Sequence, residues 1–185
     1  MFSRKQKSNT SVSTGNEEKR RLYESLVSEL HSDIFRYAFW LIKDKAIAED
    51  VVQETYLRAW KSLDSLKDVK AAKAWMITIL RRENARRFER KQFDLVDIDE
   101  FSIADEEDNH ESKLEHRELR KHIAGLNEEY RDPLILQVML GFSGDEIAEL
   151  LELNKNTVMT RLFRARNQLK DVLDKAGAIR GLENE

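Results

Sequence analysis

Five polar and basic side chains near the C-terminus repeat at helical spacing and have the chemistry to bind nucleic acid. They are Asn156, Thr157, Thr160, Arg161 and Arg164. Amide, hydroxyl and guanidinium groups donate hydrogen bonds to phosphates and to the edges of bases in duplex DNA. The spacing therefore predicts a DNA-reading helix, provided that the surrounding chain holds the helix in a suitable frame.

The residues around this face predict such a frame, two short helices joined by a tight turn. The apolar positions repeat at helical steps on both helices: Ile147, Ala148 and Leu151 on the first, Val158, Leu162, Ala165 and Leu169 on the second. Ser143 with Glu146 predicts a capping box, and Asn154 predicts an N-cap for the second helix. Together these signals indicate a helix-turn-helix, whose second helix lies in the major groove.

The turn of this motif carries an unusual residue, Glu152, at a position that favours glycine. If its φ is positive, glutamate costs about 1 kcal/mol relative to glycine. An ordinary antiparallel helix pair with solvated arginines is the alternative interpretation of the segment.

Charge is segregated along the chain, although the net charge is only −3. Residues 70–91 hold eight Lys or Arg and two Glu, residues 154–170 hold five and no acid, and residues 92–112 hold nine Asp or Glu with no Lys or Arg. Local segregation, more than the total, sets the electrostatic field. It predicts two nucleic-acid contacts on two domains, joined by a flexible acidic linker.

The first of the basic segments ends a predicted helix with six cations, Arg81, Arg82, Arg86, Arg87, Arg90 and Lys91. The helix dipole alone favours a basic C-terminal end. Six cations on more than one face exceed that need and favour phosphate contacts. Phe88 among them is expected to be partly buried, with stacking on an unpaired base as the less favoured role.

Apolar periodicity predicts an all-α fold of two small helical domains. We expect a disordered leader at 1–16, an N-terminal domain at 17–91 with helices at 17–43, 46–63 and 69–91, a linker at 92–112, a C-terminal domain at 113–175 and a tail at 176–185. The second helix turns a charged face away from the core, with Asp50, Gln53, Glu54, Arg58 and Lys61. Val51, Leu57 and Trp60 are expected to flank its buried stripe.

Several classes of function are disfavoured by composition. The chain has no cysteine, and its four histidines lack metal-ligand spacing. We find no phosphate-binding loop and no Ser/His/Asp pattern. No run of about 18 apolar residues predicts a membrane span, and the N-terminus lacks the apolar centre of a signal peptide. We therefore expect a cytoplasmic protein that is not an enzyme and uses no metal or cofactor.

Three segments in order resemble the extracytoplasmic-function (ECF) group of the bacterial sigma-70 family of RNA polymerase sigma factors. AEDVVQETYLRAW at 48–60 resembles the helix that binds polymerase, and AWMITILRRENARRFERK at 74–91 resembles the helix that engages the minus-ten promoter element. Residues 126–169, with the helix-turn-helix, resemble the domain that reads the minus-thirty-five element. The resemblance covers residues 22–173 and implies promoter-specific initiation, with DNA binding and promoter melting.

The resemblance also implies roles for particular residues. The polymerase β′ coiled coil would bind Asp50, Gln53, Glu54 and Arg58. The melted minus-ten strand would lie near Lys73, Arg82, Arg86, Arg87 and Arg90, with a flipped base held by the loop at 64–70. The minus-thirty-five duplex would contact Lys155, Asn156, Thr157, Thr160, Arg161 and Arg164. The linker would thread polymerase channels, and an anti-sigma factor would hide the 50–58 face.

Departures from the family pattern at Arg81-Arg82, Glu152 and Met159 leave the promoter sequence open. Two other functions also fit the residues. A stand-alone helix-turn-helix regulator would bind a duplex operator without polymerase. A helical adaptor would sequester another protein through the face at 50–58.

Overall fold

A computed structural model of the protein describes the backbone of residues 7–91 and 110–182, and the side chains of residues 15–89 and 118–174. Within these ranges the regular elements are all helical, so the all-α prediction is confirmed. The chain divides into two compact units, Met1–Asp99 and Glu100–Glu185. Most of the predicted acidic linker lies outside the described residues, and only its last residues, 110–112, are seen, at the start of a helix.

The N-terminal unit packs three helices against one another: α1 (Lys7–Ile42), α2 (Lys45–Ser62) and α3 (Ala72–Lys91). Short 3₁₀ turns at Leu63–Ser65 and Val69–Ala71 connect the last two. The fully buried side chains come from all three helices: Ile34, Tyr37 and Ala38 from α1, Ala48 and Ala59 from α2, Met76, Ile77 and Leu80 from α3. Small residues at three of these positions allow the helix axes to approach closely.

The corner between α1 and α2 is tight and specified by two residues. Lys43 takes a left-handed conformation with φ of 63°, and its N–H donates to the Phe39 carbonyl at 2.8 Å, which ends α1. Asp44 then caps α2, because its carboxylate accepts from the Ile47 N–H at 2.9 Å. The chain reverses between these two residues, so α2 packs directly against α1.

The start of α1 differs from the sequence-based expectation. The structure begins the helix at Lys7, whereas the apolar stripe placed it at residue 17, after a disordered leader. No proline stands in residues 7–16, and the one glycine, Gly15, costs only about 1 kcal/mol inside a helix. Residues 1–6 of the expected leader lie outside the described residues.

The C-terminal unit consists of α4 (His110–Gly125), α5 (Glu128–Val138), α6 (Gly144–Leu150) and α7 (Lys155–Leu182). Its core is formed by the apolar faces of the last three helices. The fully buried residues include Leu136, Ile147, Val158, Leu162 and Ala165. Three of the four residues of the predicted stripe on the second helix, Val158, Leu162 and Ala165, are therefore buried as expected, whereas Leu169 is half-buried. This packing fixes which face of α7 remains available to a ligand.

Candidate functional surfaces

The turn between α6 and α7 has the geometry predicted for a helix-turn-helix. Ser143 and Glu146 form a reciprocal capping box, with the Ser143 N–H donating to Glu146 Oε2 at 2.8 Å. Asn154 Oδ1 accepts from the Thr157 N–H at 2.7 Å and caps α7. Glu152 has a φ of 54°, in the left-handed region, so the turn is the one that favours glycine. The helix-turn-helix is confirmed.

Replacing the strained turn residue should stabilise the C-terminal unit. We expect Glu152→Gly to raise its free energy of unfolding by about 1 kcal/mol, because glycine adopts positive φ without steric cost. Urea denaturation of the full chain, followed by circular dichroism, measures the change. Glu149→Gly, inside α6, is the matched control and should destabilise by about 1 kcal/mol. A Glu152→Gly variant no more stable than the original chain would contradict the strain argument.

The six residues expected to contact duplex DNA lie together on the N-terminal half of α7. Asn156, Thr160 and Arg164 are exposed, as is Lys155, whose ammonium pairs with Asp145 at 2.9 Å. Thr157 and Arg161 are half-buried. We call the surface formed by these six side chains the α7 face. Its residues are all placed by one regular helix.

The two arginines of the α7 face are held differently, and both contacts come from the start of α5. Arg164 Nη1 donates to the Tyr130 hydroxyl at 3.4 Å, while its side chain stays exposed. Arg161 Nη2 lies 3.7 Å from Glu129 Oε2, and 27% of its side chain is exposed. Arg164 is therefore the more available cation, a distinction that sequence spacing does not give.

An apolar pair interrupts the α7 face: Met159, already noted as a departure from the family pattern, and Phe163, which reasoning from polar side chains missed. Met159 is 47% exposed and Phe163, one turn later, is 63% exposed. The Met159 sulfur lies 3.2 Å from where a Cβ at Gly144 would stand, so Met159 covers the start of α6. The sequence did contain a signal for this exposed residue, because Phe163 lies outside the apolar repeat of α7 and next to Arg164.

The charged face predicted on α2 is turned to solvent. Asp50 and Gln53 are exposed, whereas Glu54 and Arg58 are half-buried and paired through Arg58 Nε and Glu54 Oε1 at 3.2 Å. Leu57 lies among them on the same stripe, because it follows Gln53 by four residues and Glu54 by three. We call Asp50, Gln53, Glu54, Leu57 and Arg58 the α2 face.

The expected position of Leu57 beside the core is wrong. The side chain is 55% exposed, while Val51 is buried and Trp60 is half-buried against Tyr23, at 5.1 Å between ring centroids. The residue falls just past the edge of the buried stripe, where a helix rotation of 100° per residue turns it outward. An apolar side chain inside a rim of polar side chains matches the general arrangement of a protein-binding surface.

The residues expected near the minus-ten strand are spread along α3. Lys73 and Arg87 are about 20 Å apart along the helix axis at 1.5 Å per residue. Lys73 Nζ pairs with Asp33 Oδ2 at 2.6 Å, and Arg86 Nη1 pairs with Glu83 Oε1 at 2.5 Å. Arg82 is exposed, and the side chain of Arg90 lies outside the described residues. These cations therefore follow α3 along its length without converging on one point. We call Lys73, Arg82, Arg86, Arg87 and Arg90 the basic track of α3.

Two residues at the end of this track have specific surroundings. Partial burial lowers the pKa of Arg87, although the Asp44 carboxylate opposes the shift, so the guanidinium remains a cation. Its central carbon stands over the Phe88 ring, 5.4 Å from the centroid. Phe88 is 55% exposed, so a little under half of the residue is covered, and the rest offers aromatic surface beside a cation. Such a pair can stack on an unpaired base.

Two aspartates hold the loop that is proposed to bind a flipped base, one through a contact within the loop and one through a contact with α1. Asp68 Oδ1 accepts from the Lys70 N–H at 2.9 Å, and Asp64 pairs with Lys19 of α1 at 2.6 Å. Val69 is 55% exposed at its end. The loop thus precedes α3 in a defined conformation next to Lys73.

The ion pair that holds Lys73 should make stability depend on pH in the acid range. Burial of Asp33 alone would raise its pKa, but hydrogen bonds from Lys73 and Arg36 outweigh burial and keep the pKa below 3.8. The folded pKa is depressed, so the stabilisation is present above about pH 4 and is lost as pH falls through the folded value. We expect Asp33→Asn to cost at most about 1 kcal/mol above pH 4 and progressively less below it. Urea titrations from pH 7 to pH 3 measure this difference, and a constant difference would contradict the assignment.

In the part of the chain that the structure describes, no three His, Cys, Asp or Glu side chains are arranged to hold a metal ion. Across the same residues, no helix combines the length and apolar character that a bilayer span requires.

Comparison with known proteins connects these surfaces to a family. The family pattern described as Sigma-70 region 2 matches residues 26–93, and that described as Sigma-70, region 4 matches residues 116–169. The chain is 30% identical to RNA polymerase sigma factor SigV of Bacillus subtilis, over 84% of this chain and 93% of that protein. It is 31% identical to ECF RNA polymerase sigma factor SigL of Mycobacterium tuberculosis, over 86% and 93%.

A solved structure agrees with the sequence relatives. The sigma factor RpoE from Bartonella quintana, crystallised with the anti-sigma factor NepR, has a TM-score of 0.71 and 27% identity, over 82% of this chain and 96% of that one. Two sigma-70 regions in order, on two helical units, define a sigma factor. The chain belongs to the ECF group of the sigma-70 family of RNA polymerase sigma factors.

Proposed function

We propose that this sigma factor divides promoter-directed initiation among its three surfaces. As an ECF sigma factor, the chain directs RNA polymerase to promoters. The α2 face binds the β′ coiled coil of core polymerase. The basic track of α3 holds the melted minus-ten strand, and the α7 face docks on the minus-thirty-five duplex. We assign the chain no catalytic step, and we place it in the cytoplasm with the polymerase.

One observation carries this division of labour. The α2 face and the α7 face expose their polar side chains, whereas the opposite sides of the same helices are buried, as Val52 and Leu162 show. The surfaces lie on separate compact units, within which we propose that the functional domains span residues 17–91 and 113–175. Each surface is small, and the chain is negative overall, so tight promoter binding needs both contacts linked through the polymerase.

Reconstituted transcription tests the proposal. Bacterial core polymerase, with and without the chain, is given genomic fragments, and run-off products are mapped to their start sites. We expect the chain to create starts that core enzyme alone does not make, preceded by two shared sequence elements. Tight binding of a duplex operator without polymerase, together with no promoter-directed products, would favour the stand-alone regulator instead.

We further propose that an anti-sigma factor binds this chain and covers the α2 face. The similarity to RpoE, which was crystallised with the anti-sigma factor NepR, supports a partner of this type. Such a partner would compete with core polymerase. Purified chain captured with its partner should therefore release that partner when core enzyme is added.

Phe163, the exposed aromatic residue beside the α7 face, suggests how this protein recognises thymine. We expect Phe163 to contact thymine methyl groups of the minus-thirty-five element, since apolar side chains pack against the C5-methyl in the major groove. Replacing one thymine at a time by uracil removes only that methyl, and should weaken holoenzyme binding about fourfold at a contacted position, near 0.8 kcal/mol. In Phe163→Ala the same replacement should have no effect. Equal sensitivity of the two proteins to uracil would exclude this contact.

A further inference from the structure

A buried carboxylate lies between the polymerase-binding and DNA-binding surfaces of the N-terminal unit. Glu83 is on α3, and its side chain is only 8% exposed. Its Oε1 atom lies 2.5 Å from Arg86 Nη1 on α3 and 3.5 Å from Arg58 Nε on α2. Arg58 Nε in turn lies 3.2 Å from Glu54 Oε1. Four side chains therefore form a continuous chain of charges, Glu54, Arg58, Glu83 and Arg86, from the α2 face to the basic track.

The central position of Glu83 in this chain has a physical reason. A buried carboxylate is costly unless cations compensate it, so Glu83 holds its arginines more firmly than an exposed acid would. Each guanidinium has five N–H donors, and Glu83 contacts one nitrogen of each. The side chains of Arg58 and Arg86 are 42% and 47% exposed, so an external partner can reach both. One buried acid thus fixes two arginines that belong to different surfaces.

We propose that Glu83 is a positioning residue for both contacts: it orients Arg58 toward polymerase and Arg86 toward the melted strand, while touching neither ligand itself. The inference rests on the proposed function of the α2 face and the α3 track. It adds that the two surfaces share one residue, so that a single substitution between them damages both.

The test uses the full chain with the Glu83→Gln substitution, which keeps the shape and an acceptor oxygen but removes the charge. Two affinities are measured: that of the chain for core polymerase, and that of the holoenzyme for a labelled single strand spanning the mapped minus-ten element. We expect each to fall about fivefold, within the range of coupling between contacting residues. Glu89→Gln, which removes the same charge from an exposed position of α3, is the matched control and should change neither.

Double-mutant cycles separate positioning from a loss of stability. If Glu83 acts through its arginines, Arg58→Ala should weaken polymerase binding less in the Glu83→Gln background than in the original chain. Arg86→Ala should likewise weaken strand capture less in that background. A general structural defect would instead leave the effects additive. If Glu83→Gln does not fold, the cycles are run with Glu83→Asp, which retains the charge but retracts the oxygens by one methylene.

The outcomes distinguish this inference from the function on which it rests. An original chain that directs no promoter starts refutes the proposed function. An active original chain whose Glu83→Gln variant loses only one affinity, or neither, overturns the shared positioning role. Additive cycles overturn it as well. Loss of both affinities with non-additive cycles supports it.

Discussion

Leu57→Asp should weaken binding of the chain to core RNA polymerase by about 30-fold, the effect of removing a hot spot worth about 2 kcal/mol. The leucine is 55% exposed in the middle of the α2 face, with polar residues around it. An aspartate there would lose the apolar contact and would have to be desolvated on docking. Because the site is already solvated in the free chain, the fold should tolerate the change.

The measurement is a fluorescence titration of labelled chain with core polymerase. Val69→Asp provides the matched control, since Val69 is equally exposed, at 55%, on the same unit but is not one of the α2 face residues. We expect its affinity for core enzyme to stay within twofold of the original. Leu57→Ala should give an intermediate loss. If Leu57→Asp and Val69→Asp bind core polymerase equally well, the α2 face is not the docking surface.

The helices and the helix-turn-helix could be predicted because their causes are local. A period of 3.6 residues identified the buried stripe of α7, where Val158, Leu162 and Ala165 are all fully buried. Capping chemistry is also local, so the Ser143–Glu146 box and the Asn154 cap were readable from short spacings. The positive φ of Glu152 followed from the turn type rather than from the residue itself.

Contacts between helices were beyond the reach of the sequence. Glu83 reads as one acid among arginines, and only the packing of α2 on α3 shows that it is buried and shared with Arg58. Lys73 reads as a candidate for DNA binding, yet in the free chain it pairs with Asp33 of α1. Leu57 was misplaced for a related reason: the edge of a buried stripe depends on how neighbouring helices cross, which spacing along one helix does not specify.

Contacts with α5 distinguish the two arginines of the α7 face, Arg164 and Arg161, in their expected contribution to DNA binding. We expect Arg164→Ala to weaken promoter binding by the holoenzyme between about 5-fold and 100-fold, the cost of losing a good arginine contact to a base edge. Arg164 is exposed, and the Tyr130 hydroxyl supports its Nη1 at 3.4 Å, so little reorganisation precedes contact with DNA. Arg161 is more enclosed and lies near Glu129, so part of its charge is already compensated.

Competition binding to promoter fragments with intact or scrambled minus-thirty-five elements measures this effect. Arg166→Ala is the matched control, because Arg166 is an exposed cation on the same helix whose partner is Gln137 of α5 and which is not one of the α7 face residues. If net charge alone mattered, Arg164→Ala and Arg166→Ala would weaken binding equally, and to both fragments. A loss confined to Arg164→Ala and to the intact element requires directed contact, since the two variants remove the same charge from the same helix.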